Sequence, residues 1–237
     1  MRAIEVLCIL TAAALLVTNI IRLCRTGDLW RWWGPLVVVG AGLGADFVSG
    51  MVHWIADTWG SETMPVLGRR FLRPFRVHHI NPHDFLRRDP IDCNGDVAML
   101  TIPILIGAWL IPLTTELGRA ASVALVAFAG AALPTNQVHQ WAHMPAPPSW
   151  VQWLQGRGVI LSRAQHDRHH AAPYAVNYCI ATGWCNRWLT RTGFFPALER
   201  IITSVTGLQP RSDEQIFIAN LRAVTEAART SPTTETL

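Results

Sequence analysis

Four stretches of this chain stay apolar over lengths that suit a lipid bilayer, where a spanning helix needs about 20 predominantly apolar residues. The first, residues 3–21, is followed by Arg22 and Arg25 and not by a small-residue cleavage site, so it reads as an anchor and not as a signal peptide. The second, residues 33–55, is entered through Trp30, Trp32 and Trp33, which suit a membrane interface, and its Gly40, Gly42, Gly44 and Gly50 predict close helix packing. The third, residues 97–113, is short and contains Pro103 and Pro112; the fourth is residues 120–142. The second and fourth reach full length only if their last polar turns lie at the interface. The expected fold is an all-α integral membrane protein of about four transmembrane helices with a histidine-rich cap on one face. Residues 1–214 form that domain and 215–237 a polar helix and tail. Four buried helices of a soluble bundle are the alternative.

Arginine counting orients the spans. The loop between the second and third holds Arg69, Arg70, Arg73, Arg76, Arg87 and Arg88, and the segment after His143 holds Arg157, Arg163, Arg168, Arg187, Arg191 and Arg200 among others, whereas the third-to-fourth connection has only Arg119. The positive-inside rule puts the two arginine-rich segments and the amino terminus in the cytoplasm. The loop 22–31 then lies outside despite three arginines, an anomaly for that rule. The membrane expected is a bacterial inner membrane, or the endoplasmic reticulum in a eukaryote.

Composition sharpens this picture. Half of the 237 residues are hydrophobic and only 15% are charged, low for a soluble domain. All twenty basic residues are arginine, but no run of them resembles a nucleic-acid surface. The five cysteines form no C-x-x-C pair and no disulfide framework.

The nine histidines fall at the ends of these spans or in the segments beyond them, and none lies near the middle of a span. His53 ends the second span; His78, His79 and His83 lie in the arginine-rich loop; His139 and His143 end the fourth; His166, His169 and His170 follow it. Helical residues i and i+4 share a face, so His139 and His143 can serve one ion or bridge two, and His166 shares a face with both His169 and His170. Adjacent histidines such as His78–His79 and His169–His170 point about 100° apart and can fork toward two ions. Eight or nine imidazoles exceed one tetrahedral zinc site and suit two transition metals with open positions. His53 taken alone fits an interfacial hydrogen-bonding residue better than a ligand, and His83, between Pro82 and Asp84, better fits a turn. No G-x-G-x-x-G fingerprint and no H-E-x-x-H motif is present.

The segments HWIADTWG, RPFRVHHINP, NGD at 94–96, NQVHQWAH, HDRHH and NYCIATGWCN occur in that order. In this the chain resembles the membrane histidine-box lipid desaturases, specifically the Kua/CarF family of plasmanylethanolamine desaturases, over about residues 43–214. Through HHAAPYAVNYCI it is also similar to the plant plastid enzyme that desaturates palmitate on phosphatidylglycerol. One departure is visible: animal-type members carry Arg-His-Asp-Phe after the HH loop, whereas here Arg87-Arg88-Asp89-Pro90 stands, as an Arg does in the plant relative. That difference bears on substrate choice more than on metal binding, and His83 lies five residues before it.

The resemblance implies a non-haem site of two iron ions held by His53, His78, His79, His139, His143, His166, His169 and His170, with O2 as co-substrate. It implies no catalytic side chain beyond those ligands. The implied reaction removes two hydrogens from adjacent carbons of a membrane phospholipid chain: the alkyl ether in the plasmalogen-forming branch, an acyl chain in the plant branch. A hydroxylase could use the same site. Asp57, Asp92, Asp96, Asp167, Asn177 and His83 are candidates to orient the imidazoles from outside. With no nucleotide fingerprint, the two electrons are expected from a separate ferredoxin or cytochrome b5-type protein. A haem carrier, a membrane zinc hydrolase and a metal transporter fit the histidine spacing less well.

Overall fold

The computed structural model describes residues 2–61, 63–81, 85–171 and 174–211. His83 and the predicted tail 215–237 lie outside the described residues. Among those residues every regular element is helical. Four helical segments are long and apolar enough to cross a membrane: Arg2–Arg25, Gly34–Thr58, Pro90–Leu110 and Glu116–His143. We label the helices α1 (Arg2–Arg25), α2 (Gly34–Thr58), α3 (Arg73–Ile80), α4 (Pro90–Leu110), α5 (Glu116–Ala132), α6 (Thr135–His143), α7 (Ser149–Gly156), α8 (Arg163–His169), α9 (Asn186–Arg191) and α10 (Phe194–Thr206).

Two boundaries differ from expectation for local reasons. The third span begins at Pro90, well before residue 97, because Asp89 caps it. Its carboxylate accepts hydrogen bonds from the amides of Ile91 (2.9 Å) and Asp92 (3.2 Å), and Pro90 takes the first turn, where no amide is needed. Hydropathy skips this polar first turn. The fourth span is offset at Leu133–Pro134, where proline lacks the amide that would continue the helix. The offset re-aims Thr135–His143.

α1 packs along α4, α2 along α5, and α4 also meets α5 and α6. The contacts are made by small residues: Ala12, Ala98 and Ala129 are buried around Leu105. Lipid-facing positions stay apolar and exposed, as at Leu7, Leu10, Leu36, Leu100 and Leu110. Of the four glycines predicted to allow close packing in α2, Gly50 alone does so. A Cβ there would stand 2.5 Å from the Cys179 sulfur and 3.2 Å from its backbone nitrogen, whereas Gly40 has nothing within 4 Å.

Two of the three arginines of loop 22–31 are tied down locally. Asp28 is fully buried and takes Arg31 (3.3 Å) and Arg119 (2.8 Å), while Arg31 also pairs with Glu116. Arg22 donates to the carbonyls of Ala108 (3.2 Å), Trp109 (2.7 Å) and Ile111 (2.7 Å) that end α4. Asp28 and Glu116 thus offset part of the charge that opposes the predicted orientation. At the opposite end of the bundle Arg70 joins Glu5 of α1 to Asp96 of α4, so the amino terminus shares the face that carries the histidines.

Residues 174–186 form a strap across that face, held from below by Asp46. This carboxylate, fully buried at mid-helix in α2, accepts the amides of Thr182 (2.7 Å), Gly183 (2.8 Å) and Cys185 (2.9 Å). Ser49, one turn on, accepts the Ile180 amide at 3.0 Å, and Asn186 brackets both the amide and the carbonyl of Cys179 at 2.9 Å. A buried carboxylate in a span is costly unless dipoles surround it, and here three amides do. Asp46→Ala should strand those amides and destabilise the fold by on the order of 3 kcal/mol. Thermal unfolding in detergent should show a large drop for this variant and a smaller one for Asp46→Asn; an unchanged midpoint would mean the strap is held by other contacts.

Candidate metal centre

Each histidine is positioned by its own element. His53 lies one turn before Asp57 on the last turns of α2. α3 presents His78 and His79, and it is tied to α2 by Arg76, which donates to the carbonyls of Trp59 (2.7 Å) and Gly60 (2.9 Å). Past the Pro134 offset, α6 presents His139 and His143. Ser162 caps α8, which carries His166 and His169 and ends at His170.

Eight histidines from these four segments converge. One donor from each of His78, His139, His143, His166 and His170 lies within 4.8 Å of all the others, and the same holds for His53, His78, His79 and His169; His78 belongs to both groups. In the first group the Nε2 atoms of His139 and His166 are 2.9 Å apart, His166 and His143 2.8 Å, His143 and His139 3.3 Å, and His170 and His166 3.1 Å. In the second, His169 and His79 Nε2 are 2.9 Å apart. Four nitrogens about 2.0–2.1 Å from one ion at tetrahedral corners would be roughly 3.3 Å apart, so these spacings match donors that share an ion. They leave no room for a haem between facing imidazoles.

The opposite ring nitrogens fix the tautomers. His53 Nδ1 donates to the Tyr178 carbonyl (3.0 Å), His169 Nδ1 to the Val176 carbonyl (2.9 Å) and His78 Nδ1 to the Pro74 carbonyl (3.3 Å). A ring that donates from Nδ1 turns an unprotonated Nε2 inward, as a metal ligand must. Burial, and after it the neighbouring imidazoles, hold His78, His79, His166 and His170 well below the usual histidine range, so these rings are neutral at pH 7.

Asp57 enters the second group directly. Its Oδ2 is 3.2 Å from His53 Nε2, 3.4 Å from His169 Nε2 and 3.5 Å from His79 Nε2. Both its oxygens, and the Nε2 atoms of His53 and His78, are buried without a hydrogen bond of normal geometry. A carboxylate and several lone pairs aimed at one buried point repel each other unless a cation lies among them. The donor set therefore fits a metal centre.

The other predicted outer residues sit elsewhere. Asp92 pairs with Arg88 (2.6 Å), Asp96 with Arg70, and the largely exposed Asp167 with Arg163 (3.5 Å); none of these pairs includes a histidine. Asn177 holds a left-handed turn (φ 58°) and donates to the Gln165 carbonyl at 2.9 Å, which steadies α8 beneath His166. Arg88, at the departure from the animal-type pattern, pairs with Asp92.

Sequence reasoning missed three supports. Asp46 was legible as the lone carboxylate inside an apolar run. Gln140, between the paired histidines, donates to the carbonyls of Phe85 and Arg88 at 2.9 Å and staples the loop to α6. Tyr178 lends its carbonyl to His53 and its ring to His169, centroids 4.9 Å apart, and no sequence pattern marks it. Phe75, 5.2 Å from the His53 ring, and Phe85, 4.8 Å from that of His139, close the cage on other sides.

No solved structure matches the chain. It is 41% identical over 217 residues to a plasmanylethanolamine desaturase of Myxococcus xanthus, covering 90% of this chain and 76% of that one. It is 41% identical over 204 residues to plasmanylethanolamine desaturase 1 of Mus musculus, covering 82% and 75%. Chloroplastic fatty acid desaturase 4 of Arabidopsis thaliana is 35% identical over 172 residues, 71% of this chain and 51% of that one. The lipid desaturase domain matches residues 43–213, a stretch that includes every histidine and the whole strap. This four-span membrane protein is thus an oxidoreductase that belongs to the lipid desaturase family.

Proposed function

We propose that the chain is an O2-dependent desaturase that holds two iron ions in the histidine cage and converts the alkyl ether chain of an ether phospholipid to a vinyl ether. The observation that carries this reading is the pair of donor groups joined at His78. His139, His143, His166 and His170 would hold one ion; His53, His79, His169 and Asp57 would hold the other; His78 stands between them. Asp57 is thereby reassigned from orienting the imidazoles to binding metal beside them. The choice of ether lipid rests on the two relatives named plasmanylethanolamine desaturases. Arg88 favours a second reading, an acyl desaturase, because an Arg stands there in the plant relative as well.

Bound iron would supply, with O2, the oxidant for an unactivated C–H bond that no side chain provides. The lipid chain loses two C–H bonds and gains one C=C bond. O2 takes up those two hydrogens, two protons and two electrons, and leaves as two waters. The protein's part is positional. Backbone carbonyls keep His53, His78 and His169 in one tautomer, Phe75, Phe85 and Tyr178 keep bulk water from the cage, and the spans offer an apolar path for the chain. The electrons would come from a ferredoxin or cytochrome b5-type protein at the arginine-rich face. That face would be cytoplasmic, in a bacterial inner membrane or in the endoplasmic reticulum of a eukaryote.

Metal analysis of the purified protein tests the cage. Roughly two irons per chain are expected. His143→Ala and Asp57→Ala should each lower the content toward one, from different groups, and His78→Ala should weaken both with about a 10- to 100-fold loss of turnover. Full loading in His78→Ala would sink the shared-ligand assignment.

Lipid mass spectrometry of cells that express the chain and are fed an alkyl glycerol tests the reaction. The expected product is an ether lipid lighter by two hydrogens whose chain is released by mild acid as an aldehyde, absent with His169→Ala. New double bonds in ester-linked chains would instead assign the acyl reaction, and an added oxygen would assign a hydroxylase.

A further inference from the structure

Three cavities share wall residues in series, and the middle one touches the cage. A polar one of about 320 Å³ lies among α3, α4 and the loop before α4, and Arg70, Arg73, Arg88, Asp92 and Asp96 line it. A small one of about 30 Å³ lies against His78 and His139, and it shares Pro74, Phe85 and Arg88 with the polar cavity. An apolar one of about 180 Å³ runs between α2, α4 and α5, and it shares Phe75 and Asn136 with the small cavity. The order is therefore charged pocket, histidine cage, apolar slot.

The charges in the polar pocket are unequally spent. Arg70 is taken by Asp96 and Glu5, and Arg88 by Asp92. Arg73 has no ion-pair partner among the described residues, and it is the exposed first residue of α3, two positions before Phe75. The pocket thus carries one uncompensated guanidinium, whose planar fork suits phosphate oxygens. The slot has the opposite character. Its walls include Val48, Val52, Leu100, Ile104 and Phe128, and Val48, Val52 and Leu100 are exposed on the lipid-facing side. From Val52 to Ala45 it follows α2 for about 10 Å toward the bilayer interior.

We infer that these cavities form one bipartite phospholipid site: Arg73 holds the phosphate of a glycerophospholipid at the membrane surface, and the chain to be desaturated passes His78 and His139 into the slot between α2, α4 and α5. This rests on the lipid desaturase reading and adds which residues take each part of the lipid. A phosphate on one side of the cage and a slot on the other would hold a chain carbon at a fixed distance from its headgroup beside the histidines, so Arg73 acts as a positioning residue for the site of desaturation.

The test is photo-labelling of the purified full-length protein in detergent micelles. The probes are a glycerophospholipid with a diazirine at the chain end and a diacylglycerol with the same chain. Labelled residues are mapped by peptide mass spectrometry, and desaturation is followed in the same preparation after iron loading, in air, with a reduced ferredoxin as electron donor. The phospholipid should label α2, α4 and α5 around Val48, Leu100 and Ile104, and Ile104→Trp should abolish that labelling. Arg73→Ala should raise the phospholipid concentration needed for half-labelling about tenfold, leave the diacylglycerol unaffected and broaden the position of the new double bond. Arg73→Lys should recover part of the loss, and Arg200→Ala, an exposed arginine away from the pocket, should change nothing. Labels scattered over lipid-facing positions such as Leu7 and Leu36 would overturn the slot. An equal effect of Arg73→Ala on both probes would overturn the phosphate role, as would complete displacement of the phospholipid by inorganic phosphate. Slot labelling without desaturation would leave this site standing and refute the activity; desaturation with scattered labels would do the reverse.

Discussion

The cage depends on a carboxylate that never touches it. Asp46 sits at mid-helix in α2 and gathers three amides of the strap, and the strap in turn delivers the carbonyls of Val176 and Tyr178 to His169 and His53. Those carbonyls decide which nitrogen of each ring faces inward. In hydrocarbon, an irregular strap is tolerated only if its backbone groups find partners within the protein. A charged acceptor with three donors does this for one turn of backbone, and Ser49 and Asn186 do it for the next. The need to satisfy the backbone and the need to orient the imidazoles are therefore met by the same residues, and Gly50 leaves the space in which strap and helix can approach.

Much of this was legible in the chain. Run length and hydropathy mark the four spans because lipid demands nearly uniform apolarity over a fixed length. The convergence of histidines was legible because their clusters fall at span ends or in segments assigned to the same predicted face. The boundaries were less so, because hydropathy is blind to caps: Asp89–Pro90 starts a helix on polar residues, and Pro134 breaks one inside an apolar run.

The carboxylates are instructive, since the sequence offered Asp57, Asp92, Asp96 and Asp167 as equals. What separates three of them is the residue one turn earlier. Asp57 follows His53 by four positions and lies against it, whereas Asp92 follows Arg88 and Asp167 follows Arg163, and each pairs with its arginine. The i,i+4 relation that identified paired histidines would have sorted these acids too. Asp96 could not have been sorted that way, because its partner Arg70 comes from a distant segment. Tyr178 is beyond any local rule, since its function lies in a carbonyl that every residue possesses.

Arginine serves opposite ends of the molecule by different means. At the end of the bundle away from the histidines, Arg31 and Arg119 pair with Asp28 and Glu116, and Arg22 donates to the carbonyls that end α4. On the histidine side Arg70, Arg76 and Arg88 are likewise committed, to Asp96, to the end of α2 and to Asp92. The positive-inside rule counts all of these alike, yet what sets a local field is the charge left after pairing. A low-dielectric cage of neutral imidazoles benefits from that economy: cations pinned by carboxylates a few ångströms away disturb the donor nitrogens less than free ones would. Arg88, where the animal-type pattern has a histidine, is accommodated on the same ground, because Asp92 pairs with its guanidinium and Gln140 holds its backbone in place.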